Sequence, residues 1–187
     1  MASHFSITDD SSLVSNSGRS VRWDKPKAPA IKLNTDGSVS ANNAGLGGMI
    51  RDHNGKPLGI FSGPLLLCSV LTAELMALHQ GLEICMKYGY QVINIEVDSK
   101  ILLQVISGIS VGCLQDYYTI RKINNCLANL NYTISHVFRE GNACADWLAK
   151  FGSHSGVFQE HNLNNLPVPL SGMICMDKLG LPYIRHT

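Results

Sequence analysis

The sequence predicts a mixed α/β domain: a five-stranded mixed sheet with helices packed on it, in the order βββαβα(α)βα. Three observations predict it. Apolar and polar residues alternate with period two from Ile31, the apolar spacing switches to a helical period at Ser69, and strand-like and helix-like stretches then alternate as far as Phe151. The first strand is Ile31 to Asp36, where Ile31 and Leu33 alternate with Lys32 and Asn34 as in a half-buried strand. It is expected to stop at Asp36, with Gly37 turning the chain. A glycine-rich turn from Asn42 to Gly48 leads to a second strand around Met49 to Asp52. Asn54-Gly55 is a hairpin signal, and Lys56 to Ser62 supplies the returning strand. The glycine-rich stretch lacks GxxxxGK[ST] and no helical pattern follows it directly, which disfavours a phosphate loop.

From Ser69 to Lys87, Leu71, Leu75, Leu78 and Leu82 form one helical stripe with Glu74 beside it, and Gly89 is the expected C-terminal cap. Val92 to Val97 is an apolar, β-branched strand ending at Asp98. Ser99 is placed to cap a helix carrying Ile101, Leu102, Val105 and Ile106. Ile109 to Gln115 is a short connection, and Tyr117 to Leu130 reads as another helix. Tyr132, Ile134, His136 and Phe138 alternate with polar and small residues as the last strand. Asn142 is placed to cap a closing helix whose stripe is Cys144, Leu148 and Phe151.

The chain has 187 residues, 45% hydrophobic and 16% charged, enough for one domain with a sizeable core and tails. Residues 1–22 are polar and aperiodic and are expected to be a disordered tail, 23–152 the domain, and 153–187 a loosely packed or disordered tail. Fifteen basic residues against fourteen acidic ones give a net charge of +1, so any nucleic-acid contact must rest on a local patch. Six cysteines include no CxxC pair, which argues against zinc, and three of them lie in apolar, helix-like stretches, so they read as small buried thiols of a reducing compartment. The N-terminus lacks the apolar core of a signal peptide, and no apolar run approaches the ~20 residues of a spanning helix. A soluble, intracellular protein of the nucleus or cytoplasm, with no membrane partner, is expected.

Asp36 and Asp98 end strands, Glu74 lies early in a helix, and Asp146 lies one turn into the closing helix, four residues after Asn142. If the two aspartate strands are neighbours, four carboxylates converge at one end of the sheet. Their repulsion would be relieved by a divalent cation, and oxygen ligands suit Mg²⁺ or Mn²⁺. Each acid has a plainer reading: a turn aspartate, a surface glutamate, a charge at a helix N-terminus. Glu96, on the same strand as Asp98, is a possible extra ligand but is read as a solvated or paired glutamate.

The series Asn34-Thr-Asp36-Gly-Ser38, Ala73-Glu74-Leu-Met-Ala-Leu, Val97-Asp98-Ser99 and Glu140-Gly-Asn142-Ala-Cys-Ala-Asp146-Trp-Leu-Ala resembles a type 1 ribonuclease H domain. It is most similar to the short-loop, reverse-transcriptase-like version of plant non-LTR retroelements, over about Trp23 to Phe151. The resemblance implies the ribonuclease H-like fold and an endonuclease that cuts the RNA strand of RNA–DNA hybrids. It also implies that Asp36, Glu74, Asp98 and Asp146 hold two Mg²⁺ ions (Mn²⁺ as a substitute), with Asp36 shared. Ser38, Asn43 and Gly45 are the implied substrate contacts, near the 2′-hydroxyls of the hybrid's minor groove.

His136 has the ungapped spacing of the mobile histidine of longer relatives, yet it also continues the strand alternation. The strand reading is preferred, and Arg139 is the candidate near the scissile phosphate. Two departures from the family pattern stand out. Val70-Leu71 occupy the place of a polar pair, and Ile109 to Gln115 holds no lysine or arginine where some relatives carry a basic protrusion. Backbone phosphates would then fall to scattered cations such as Lys100, Arg121, Lys122 and Lys150. These departures motivate a second hypothesis, a domesticated retroelement domain that binds nucleic acid or a protein without cutting. A nuclease or integrase of the same fold that cuts DNA is a third.

Overall fold

The computed structural model describes residues 19–110 and 112–185. The expected N-terminal tail lies outside these residues up to position 18. Eight strands and five α-helices run in the order β1 (Arg19–Val21), β2 (Ile31–Val39), β3 (Ala44–Arg51), β4 (Pro57–Leu65), α1 (Val70–Lys87), β5 (Val92–Val97), α2 (Lys100–Ile106), α3 (Tyr117–Leu127), β6 (Asn131–His136), α4 (Ala143–Ser153), β7 (Gln159–Glu160), α5 (Val168–Leu179) and β8 (Tyr183–Arg185). Short 3₁₀ turns precede α3 and α4, at Leu114–Asp116 and Arg139–Asn142. The main sheet has the strand order β6-β5-β2-β3-β4-β7, with β2, β3 and β4 antiparallel and β5 and β6 parallel to β2. The predicted mixed α/β class and the element order βββαβα(α)βα, read from β2 to α4, are therefore present, with β7 added as a sixth strand on β4. A separate two-stranded ribbon pairs β1 with β8.

Alternation decides which helix meets which face. Leu33, Leu46, Ile50 and Phe61 pack with Leu75, Leu78 and Leu82 of α1 and with Ile123 and Leu127 of α3, forming the larger core. Met49 and Ile60 face the other way and pack with Cys144 and Leu148 of α4 and with Leu170 and Ile174 of α5. Ser69 caps α1 through a 3.0 Å bond from Thr72 N, Ser99 caps α2 through a 3.2 Å bond from Leu102 N, and Gly89 ends α1 with φ 75°.

Several expectations change. β2 does not end at Asp36 but continues to Val39, and Gly37 keeps a negative φ. It is needed for proximity instead: a Cβ there would lie 2.4 Å from Glu74 N and 2.5 Å from Ala73 C, so only glycine lets α1 approach β2 this closely. Nor is β2 half-buried, since Lys32, Asn34 and Asp36 are as enclosed as their apolar neighbours. The last strand stops at His136, leaving Phe138 outside it.

The segment 153–187 is not a loose tail. Ser153 ends α4, α5 buries Leu170 and Ile174, and Asp177 of α5 bonds Arg51 of β3 at 2.6 Å. Arg51 stacks on Trp23 at 3.6 Å and donates to Asn34 Oδ1 at 2.9 Å. The physical reason is the exposed outer face of α4 and β3, which needs an apolar helix to cover it. The 153–187 composition does include such a stripe, between the prolines. Among the described residues, no helix is long and apolar enough to cross a membrane.

Candidate active site

Parallel pairing of β2 with β5 aligns Asn34 with Glu96. Two residues further along each chain, Asp36 and Asp98 stand side by side at the same end of the sheet. The close approach at Gly37 brings the second turn of α1 to the same place. The result is that Asp36, Glu74 and Asp98 each offer a carboxylate oxygen, all within 4.8 Å of one another.

Among the described residues no cation is paired with these three, and the carboxyls face one another instead. Glu74 Oε2 and Asp98 Oδ1 are buried without a hydrogen-bond partner. Burial, and then the charges of Asp98 and Asp146, push Asp36 up to about 8, against the pull of Arg139. Burial and the charges of Asp36 and Asp98 push Glu74 up to about 9. Asp98 is raised as well, chiefly by burial. Clustered, desolvated carboxyls resist ionisation unless a positive charge joins them.

Asp146 stands next to this trio but not in it. Its Oδ1 accepts from Arg139 Nε at 2.8 Å and from a second Arg139 nitrogen, and its Oδ2 accepts from Lys150 Nζ at 2.6 Å. The expected convergence of four acids is therefore three plus one, because two flexible cations on or beside α4 hold the fourth. A cleft of about 460 Å³ opens over the group, and its walls include Asp36, Ser38, Glu74, Asp98, Arg139 and Lys150. Val70, 57% exposed, forms part of the rim where a polar pair was absent from the sequence.

The three implied substrate contacts separate. Ser38 lines the cleft, while Asn43 is half-buried in the β2–β3 turn, its N–H donating to Ser40 Oγ at 3.2 Å. Gly45 lies under α4, where a Cβ would be 2.2 Å from Ser153 N, so it serves helix packing and does not line the cleft. Ser40, Ser153 and His154 also line the cleft. The latter two escaped the sequence reading because the closing helix was ended at Phe151.

Asn142 stands at the N-cap position of α4, as expected, but its side chain makes no capping bond. Its Nδ2 donates to Thr35 O at 2.9 Å, and its Oδ1 accepts from Asn34 Nδ2 at 3.2 Å. Asn34 fills its four positions, accepting from Trp23 Nε1 and Arg51 and donating to Asn142 and to Glu96 Oε2 at 3.1 Å. Glu96 is paired with Lys32, in line with the plainer expectation for it. His136 closes β6, as the strand alternation implied.

The metal question turns on fit. Two orphaned carboxylate oxygens, three acids within bonding range of a common point and an all-oxygen donor set match a hard divalent cation such as Mg²⁺ or Mn²⁺. The six cysteines are all free, and none belongs to this group.

Residues 34–152 match the family described as reverse transcriptase-like. Over 169 residues the chain is 30% identical to an Arabidopsis thaliana protein described as a "putative ribonuclease H protein", covering 87% of this chain and 26% of that protein. The chain thus spans about a quarter of that relative's length. RNase H1 from the archaeon Halobacterium salinarum NRC-1 has the same fold, with a TM-score of 0.62 at 22% identity over 66% of this chain and 96% of that one. LC11-RNase H1, solved in complex with an RNA/DNA hybrid, has a TM-score of 0.61 at 25% identity over 66% of this chain and 96% of its own. The chain belongs to the reverse transcriptase-like family as a ribonuclease H-like domain of the plant retroelement kind.

Proposed function

We propose that this domain is a metal-dependent endoribonuclease that cleaves the RNA strand of RNA–DNA hybrids. One observation carries the reading: the buried carboxyls of Asp36 and Glu74 and the half-buried one of Asp98 lie within 4.8 Å of one another with no cation among them in the described residues, an arrangement that is costly without a bound metal. The solved relative that holds an RNA/DNA hybrid supplies the substrate class.

Asp36, Glu74 and Asp98 would hold one ion, and Asp36 with Asp146 a second. Two such ions, ~4 Å apart in enzymes of this chemistry, would activate water and stabilise the leaving oxygen. The protein's own part is to fix this geometry. Asp36 and Asp98 are held by sheet register, and Glu74 by the contact of α1 with Gly37. Arg139 sits at the cleft wall with donors in a planar fork suited to a phosphate, and its bonds to Asp146 keep it there. Ser38 offers a hydroxyl to the strand lying in the cleft.

The purified protein, given labelled hybrid, duplex DNA and duplex RNA with Mg²⁺ or Mn²⁺, is expected to cut only the RNA of the hybrid. Near-wild-type turnover by Asp36→Asn would remove the mechanism. Exposed Val70 on the cleft rim favours the second reading, a domesticated domain that binds without cutting. Hybrid binding with no metal-dependent product at high protein concentration would establish that one instead.

A further inference from the structure

Beyond Asp98 the surface opens into a second cavity of about 320 Å³, lined by Asp98, Lys100, His136, Phe138, Arg139 and Arg185. It shares Asp98 and Arg139 with the carboxylate cleft, so the two are neighbours. The fold assembles its nitrogen-bearing side chains from four separate places. Lys100 opens α2 just after β5, His136 closes β6, Arg139 starts the 3₁₀ turn before α4, and Arg185 arrives on β8.

Arg185 lies beyond the residues that match the family, which end at 152. Its guanidinium lies over the Phe138 ring at 4.4 Å from the centroid, and Arg19, its partner across the β1–β8 ribbon, lies over the same ring at 5.3 Å. Stacking holds the guanidinium in place and leaves its N–H edge free, so less side-chain entropy remains to be lost on binding. The opposing carboxylates are Asp98 in the wall, Glu140, 3.5 Å from Arg185, and Asp146, held by Arg139. A guanidinium has five N–H donors, so each arginine keeps donors beyond those bonds. Among the described residues Lys100 makes no ion pair.

We propose that this cavity is a phosphate subsite that seats a backbone phosphodiester of the nucleic acid next to the one in the carboxylate cleft. The proposal rests on the nucleic-acid reading of that cleft. It rests the grip on residues outside Ile109 to Gln115, the connection without lysine or arginine, and it gives the β1–β8 ribbon a role in binding.

The test is the affinity of the full chain for a labelled RNA–DNA hybrid in EDTA, by fluorescence anisotropy over a range of salt concentrations, with inorganic phosphate as competitor. Lys100→Gln and Arg185→Gln are each expected to weaken binding about fivefold and to make the log–log salt slope shallower by about one unit, the signature of one lost phosphate contact. Arg185→Lys should recover part of the affinity. Lys100 is exposed at the first position of α2, so its variant folds even if loss of the Phe138 stack loosens the ribbon.

Wild-type affinity and slope in Lys100→Gln and in a folded Arg185 variant would overturn the proposal. So would a phosphate-binding defect with unchanged hybrid affinity, which would mark a site for free phosphate only. If the wild type fails to bind hybrid, both this subsite and the hybrid reading fall. If it binds with these slopes but never cuts, the subsite stands and hydrolysis falls.

Discussion

Two groups of buried carboxylates lie within a few residues of each other along β2, and they are built on opposite principles. Near Asn34, Asp177 is 2% exposed and fully partnered. It accepts from Arg51 at 2.6 Å, from the Tyr183 hydroxyl at 2.9 Å and from the Cys144 thiol at 3.5 Å. At Asp36 three acids meet without a cation, and the nearby Arg139 is taken by Asp146. The first arrangement balances charge inside the protein and needs nothing from outside. The second leaves a deficit of positive charge, which protons or a bound cation would relieve. On the proposed reading, what surrounds an acid separates the structural one from the ligand-holding ones.

The comparison breaks most visibly at Asp36. Asp36→Asn is expected to reduce hybrid cleavage by about three orders of magnitude, since metal ions contribute several kcal/mol of charge stabilisation to such reactions. The same change should leave the metal-free fold as stable or more so, because it removes one member of a repelling cluster. Cleavage rates in Mg²⁺ beside melting curves in EDTA read both effects. A large loss of stability would mean that Asp36 belongs with Asp177, as a structural acid.

Arg51→Met makes the converse test. It leaves Asp177 buried without its cation, which is expected to cost about 3–5 kcal/mol in chemical denaturation, with or without Mg²⁺. Replacing Asp177 by leucine in the same chain should recover much of that, since the uncompensated charge is then gone. Equal losses in the single and double variants would show that Arg51 matters for its stack on Trp23 and not for its charge.

Metal-free stability should depend on pH with a definite sign. Asp36 and Glu74 are raised in the folded protein to about 8 and about 9, above the ~4 of an unfolded chain. The folded state therefore holds more protons between those limits, and stability falls as pH rises from about 4 through the folded values. In EDTA the melting temperature is expected to drop by about 5 °C between pH 6 and pH 9, and millimolar Mg²⁺ should flatten the profile. A flat profile in EDTA would mean that the cluster carries no repulsion.

How much of this was legible depended on whether the cause was local. Strand alternation, the Leu75, Leu78 and Leu82 stripe and the caps at Ser69 and Ser99 are local patterns, and the structure follows them. The meeting of Asp36 with Asp98 was legible from an acid late in one strand and an acid just after another, given parallel register, although β2 runs on past Asp36. Long-range contacts left weaker marks. Gly37 looked like a turn because its real constraint is the distance to a helix more than thirty residues away. Asn142 looked like a cap because helix starts favour asparagine, whereas its partners, Thr35 and Asn34, lie over a hundred residues earlier. The C-terminal segment looked loose because the partner of Asp177 is Arg51, and nothing in its own composition names that partner.

Asn142 also connects the two carboxylate sites, and this gives the smallest of the expected effects. Asn34 accepts from Arg51, whose other nitrogen holds Asp177, and donates to Asn142, which bonds the carbonyl of Thr35 beside Asp36. Asn142 is the last residue of the 3₁₀ turn that begins with Arg139, and it leads directly into α4 with Asp146. Asn142→Ala removes these bonds at a cost of about 1 kcal/mol in stability. It is expected to lower turnover severalfold while leaving hybrid affinity near wild type, because Asp36, Glu74 and Asp98 keep their places in sheet and helix and only the Arg139–Asp146 side loosens. If kcat is unchanged while stability falls, the chain of amides serves the Arg51–Asp177 pair alone. If both move, that pair and the cleft share one scaffold, and α5, outside the cleft lining, helps to hold Asp146 in register with it.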